Sequence, residues 1–133
     1  MNKLHAIIST IKEHESLYLI ELDASGIALS MLLFDLNPVF SAGSKVSVLF
    51  KETEVMLAKK LTGEISINNL FKATVTEIHA GALLANVSLH SLAGNMVSII
   101  TMDALERLGL KNNDEITVLI KASQISLEAH RDD

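Results

Sequence analysis

Residues 46–57 read VSVLFKETEVML, and residues 116–127 read ITVLIKASQISL. Val48/Val118, Leu49/Leu119, Lys51/Lys121 and Leu57/Leu127 are identical, and Val46/Ile116, Ser47/Thr117, Thr53/Ser123 and Val55/Ile125 keep their character. Upstream, Asn2, Ala6, Ile8 and Ile11 fall on Asn69, Ala73, Val75 and Ile78. The spacing is 67 in the upstream block and 70 in the downstream one. Two blocks in the same order with compatible spacings describe a duplicated unit. The second copy carries about three extra residues in its middle. We read the units as 1–62 and 63–133.

Each unit is mostly strand. IISTI, LYLIEL, IALSMLLF, KVSVLF and EVML in the first, and ATVTEI, ALLANVSL, MVSIIT, EITVLI and QISL in the second, are short β-branched or Leu-rich runs. Gly, Ser, Asn or Asp stands near most of their junctions. A short helix is expected between the third and fourth strands of each. In TMDALERLGL, Thr101 suits the N-cap, Asp103 the first turn and Gly109 the C′ position. Asn37-Pro38 gives the first copy an N-cap and N1 signal over a shorter stretch. The fold class is therefore all-β with one short helix per unit, as two tandem OB-like five-stranded barrels.

A unit of about 60–65 residues is marginal alone. Leu119 and Ile120 are consecutive apolar residues on one strand, so they face opposite sides. One fills the barrel, and the other demands a second apolar surface. SMLLF makes the same demand, which predicts packing between barrels and between chains.

Net charge is −5 with no basic cluster, and aromatics amount to four Phe and one Tyr. Phosphate-backbone binding needs cations, and single-strand binding on a barrel needs stacking aromatics as well. Nucleic acid is accordingly not expected. The chain has no cysteine, which removes disulfides and thiol chemistry and fits a reducing compartment. MNKLHAIISTIK does not read as a signal peptide, and no apolar run is long enough to span a bilayer. A cytoplasmic protein is expected, without membrane association. His5, His14, His79, His90 and His130 never stand at close ligand spacing, so no direct metal ligands are assigned. No Ser-His-Asp or lysine-nucleophile arrangement can be read, and an enzyme is not expected.

Lys121 ends a strand and is followed by Ala122 and Ser123. An ammonium, a hydroxyl and unobstructed backbone N–H groups make a donor set suited to an oxyanion. The same lysine also reads as a solvated edge residue that blocks strand association. The first copy has Lys51, Glu52 and Thr53 there, and a carboxylate at Glu52 opposes an anion.

SINNLFKATV, 66–75, resembles the leader of Mop (molybdenum–pterin-binding, TOBE-type) domains, which commonly read Ser-Ala-Arg-Asn-Gln-Leu-Lys-Gly before a Val-rich strand. The similarity continues through GALLANVSL, SIITMDALERLGLKNNDEITVLIKAS and QISL, covering 66–128. The first unit matches through VSVLFKETEVML and through the repeat. The chain as a whole resembles a tandem-Mop molbindin.

That resemblance implies binding of molybdate or tungstate as intact oxyanions at interfaces between domains, for intracellular storage or homeostasis. It also implies assembly of two-domain chains as homotrimers. Carried over by position, Ser66, Asn68 and Asn69 form one wall of a site. Lys121, Ala122 and Ser123 form the other, with Lys51 and Thr53 from the first copy and the hydroxyls of Ser98 and Thr101 as further candidates. Two departures bear on this. Asn68 replaces the family's arginine, exchanging a bidentate cation for a neutral amide. The first unit's equivalents of Ser66 and Ile67 would precede Met1. Fewer competent sites than in fuller relatives are expected, and the alternative is an oligomerising interaction module with decayed anion sites.

Overall fold

The computed structural model describes residues 1–130. Among the described residues ten strands form, in the order anticipated by the runs above: β1 (Asn2–His14), β2 (Leu17–Ala24), β3 (Ile27–Leu33), β4 (Lys45–Phe50), β5 (Met56–Ala58), β6 (Asn69–Ala80), β7 (Leu84–Ser91), β8 (Gly94–Thr101), β9 (Glu115–Ile120) and β10 (Ser126–Ala129). Alternation places them. Along β1, Leu4, Ala6 and Ile8 are buried while Lys3, His5 and Ile7 are exposed, as a half-buried pleat requires. Glu15-Ser16 and Ser25-Gly26 close two-residue hairpins with φ positive at both central positions, the handedness that matches strand twist.

The copies also share their irregularities. β1 and β6 each carry a register shift at the same point, between Ile8 and Thr10 and between Val75 and Glu77. Such bulges bend a long strand and let a sheet curl. Beside each bend, in the turn that leads into β4 or β9, a residue with positive φ closes onto the bulged strand. Gly43 donates its N–H to Ile8 O at 2.8 Å, and Asn113 donates to Val75 O at 2.7 Å.

Both five-stranded sheets are curled, with orders β10-β4-β1-β2-β3 and β5-β9-β6-β7-β8. Each copy's last strand joins the other copy's sheet. Leu127 pairs with Val48, and Leu57 pairs with Val118, so the residues that reveal the repeat are ladder partners across it. The two sheets share one contiguous core that includes Ile20, Met31, Val48 and Phe50 from the first and Val75, Val87 and Val118 from the second. Leu119 and Ile120 are both buried, as their opposed directions demanded, and Ile120 belongs to that core.

One helical expectation is corrected. α1 (Met102–Leu108) forms in the second unit, with Thr101 Oγ1 accepting from Ala104 N at 3.1 Å and Gly109 at φ 59° ending it. In the first unit the corresponding stretch is a turn, where Asn37 Oδ1 accepts from Val39 N and Asn37 O from Phe40 N. The reason is length. β3 and β8 are related by the spacing of 67, and β4 and β9 by 70, so the three extra residues fall in this connection. Each unit does carry a one-turn 3-10 helix after its fourth strand, at Glu52–Glu54 and Ala122–Gln124.

Candidate functional site

Lys121 leaves β9 in extended geometry (φ −68°, ψ 136°) and caps the second 3-10 turn, accepting Gln124 N at 2.9 Å. Lys51 does the same after β4 (φ −73°, ψ 147°), accepting Glu54 N at 3.0 Å. The repeated lysine-to-hydroxyl step is thus one backbone device used twice.

At Lys121 the device opens onto a cleft of about 330 Å³, lined by Ser66, Ile67 and Asn68 on one side and Lys121, Ala122 and Ser123 on the other, with Leu32 from β3. The two walls expected from the sequence therefore meet within one chain. Among the described residues the lining holds one cation and no carboxylate. Ammonium, hydroxyls and the Asn68 carboxamide offer donors, and the absence of an acid leaves them no anionic competitor. The sequence does not single out Leu32 or Ile67 as site residues. SMLLF signalled that Leu32 needs a second surface, but only the placement of β3 brings it to this cleft.

Five candidates lie elsewhere, and three of them have their polar groups committed to backbone partners. Asn69 is fully buried, and its carboxamide is committed to β3: Ser30 N–H donates to Asn69 Oδ1 at 2.6 Å, and Asn69 Nδ2 donates to Ser30 O at 2.8 Å. Ser98 is also fully buried, donating its hydroxyl to Val55 O at 2.8 Å, just past the first 3-10 turn. Thr101 is spent as the N-cap of α1. Each polar group satisfies a backbone partner, as buried or capping groups must.

Lys51 and Thr53 occupy the symmetry-equivalent position rather than the Lys121 cleft. There Glu52 stands where the second copy has Ala122, and its Oε2 accepts from the Met1 ammonium at 3.1 Å. Its own backbone N–H first, then that ammonium, holds the Glu52 carboxyl below the usual range, so it is ionised at neutral pH. The Asn69 arrangement is duplicated too, since Asn2 Nδ2 donates to Val97 O and Val97 N–H to Asn2 Oδ1, both at 2.8 Å.

His5 and His130, far apart in sequence, meet edge to face with ring centroids 4.4 Å apart. Among the described residues no group of three or more His, Cys, Asp or Glu is arranged to hold a metal ion. No helix there is long and apolar enough to cross a membrane.

Comparison with known proteins adds three findings. The family model described as the TOBE domain matches residues 65–127. Molybdenum-pterin-binding proteins 1 and 2 of Clostridium pasteurianum are 36% and 35% identical to this chain over 66 residues, which is 49% of this chain and 97% of each of theirs. A crystal structure of the cytoplasmic molybdate-binding protein ModG, in a PEG-grown form with molybdate bound, matches with TM-score 0.91 at 27% identity, covering 97% of this chain and 96% of that one.

Proposed function

Because the chain belongs to the TOBE-type family of molybdenum-pterin-binding (Mop) proteins, as a tandem member, we propose that it binds molybdate, or tungstate, as an intact oxyanion and without catalysis. The observation that carries this reading is the cleft in which Lys121 faces the leader Ser66–Asn68, with no carboxylate among the described residues that line it. Ser66, Asn68, Lys121, Ala122 and Ser123 are the residues assigned to the anion. The Lys51–Thr53 position is assigned little or no affinity, since the Glu52 carboxylate opposes a dianion there.

The reading extends to a cytoplasmic protein that stores or buffers the anion, built of units 1–62 and 63–133 and assembled as a homotrimer. The cleft favours assembly on volume. At about 330 Å³ the cleft is larger than a five-atom anion, which occupies only part of it. A neighbouring chain is the proposed source of the remaining wall. Exposed Phe34, Leu83 and Leu92 supply apolar surface for that contact.

Calorimetric titration with molybdate, tungstate, sulfate and phosphate at one ionic strength tests the proposal. Saturable heats with the first two and weak or no heats with the others are expected. No heat with any of the four, or equal weak heats with all, would leave the interaction-module reading in its place.

A further inference from the structure

Every wall of the Lys121 cleft is tied to one residue that does not line it. Asn69 follows Asn68 directly in the leader. Its backbone pairs with Ile120, the residue before Lys121. Its carboxamide holds Ser30, two residues before Leu32 on β3. The leader, the lysine turn and the β3 wall thus meet at a single buried residue, whose side chain makes the link to β3.

A carboxamide suits this junction because it carries one acceptor and one donor side by side, as a peptide group does. It engages both the N–H and the C=O of Ser30 where β6 and β3 have no ladder between them. An ionised carboxylate supplies only acceptors and is costly to bury here, and serine supplies a single hydroxyl.

The geometry points to Asn69 as the positioning residue of the anion site: it sets the spacing of the three walls without touching the anion. This inference rests on the oxyanion reading above. It also means that filling the cleft tightens the Asn69–Ser30 contact, so anion binding and the docking of β6 on β3 reinforce each other.

Asn2 provides a matched control. It makes the same pair of bonds to Val97, its backbone pairs with Phe50 before Lys51, and it lies at the other end of the molecule's internal symmetry. Full-length Asn69→Ala and Asn2→Ala therefore lose equivalent bonds, and both are expected to melt a few degrees lower. Molybdate affinity should separate them. Asn69→Ala is expected to lose about tenfold or more, the scale on which outer-shell partners act. Asn2→Ala should change it less than about twofold, as distant sites do.

Amide exchange in the wild-type protein gives an independent readout that needs no variant. Molybdate should slow exchange at the Ser30 N–H and leave the Val97 N–H unchanged. If wild type fails to bind molybdate, the oxyanion reading itself falls. If wild type binds and the two alanine variants bind alike, Asn69 is only structural and the inference is wrong. Should Asn69→Ala not fold, Asn69→Ser, whose single short hydroxyl cannot make both bonds to Ser30, and the exchange measurement decide. Undiminished affinity in Asn69→Ser, or equal protection of Ser30 and Val97, overturns it.

Discussion

Replacing Lys121 with alanine removes the only cation that the described residues place in the cleft lining, while leaving the 3-10 turn, whose bonds are backbone, intact. A hydrogen bond to a charged group contributes about 1.5–3 kcal/mol, so molybdate affinity should fall by roughly 13- to 160-fold. The loss can be read without calorimetry. At 100 times its Kd a ligand stabilises the folded state by about 2.7 kcal/mol. At that same concentration the variant retains only about 0.3–1.3 kcal/mol. For 133 residues at about 2.1 cal/mol/K each, the unfolding entropy is near 0.28 kcal/mol/K, which converts those values to shifts of about 10 °C and about 1–5 °C. Differential scanning with and without molybdate measures both. Lys51→Ala is the internal comparison, and it should keep nearly the full shift because Lys51 does not line the Lys121 cleft. A Lys121→Ala protein still shifted by about 10 °C at the same molybdate concentration would show that the wrong donor had been assigned.

Asn68→Arg restores the cation that the family leader carries, and one charge-assisted bond of about 1.5 kcal/mol should raise molybdate affinity about tenfold by calorimetry; unchanged affinity would mean that position 68 does not face the anion. Ser98→Ala leaves the Val55 carbonyl without its buried donor and should cost about 1–3 kcal/mol in denaturant unfolding, with molybdate affinity at the Lys121 cleft unchanged. Asp114 is held below the usual carboxylate range, first by the Lys111 backbone N–H and then by Lys59. A depressed carboxyl contributes stability that is present above its unfolded value, near 3.9, and is lost as pH falls through its lower folded value. Wild type should therefore be more stable than Asp114→Asn at pH 7, and the gap should close on acid titration below about pH 4. A gap independent of pH would refute the assignment.

What could be read from the sequence and what could not divide along a physical line. Strand content, the two-residue turns, α1 and the meeting of the leader with the lysine turn are set by near neighbours or by a motif carried whole, so 66–75 and 116–127 contain their signals. The exchange of β5 and β10 leaves no such signal. Leu57 and Leu127 are the same residue in the same pattern, and either sheet offers either strand an equivalent ladder, Val118 or Val48. A duplicated chain is degenerate to this choice, and only the path after each 3-10 turn resolves it.

The same degeneracy hid the role of Asn69. Read along the chain it is one more polar residue in a leader of polar residues, indistinguishable from Asn68. The difference lies in direction. Asn69 begins β6 with its side chain turned inward to β3, while Asn68 is the last residue before the strand and lines the cleft. Pleat alternation alone assigns opposite faces to neighbours, but which of the two faces inward depends on the strand that packs beneath. Here that strand, β3, comes from the other copy. A site whose polar walls lie in one unit, with Leu32 from the other, is held in register by a residue that grips that other unit, which is a physical reason for two marginal barrels to persist as one chain.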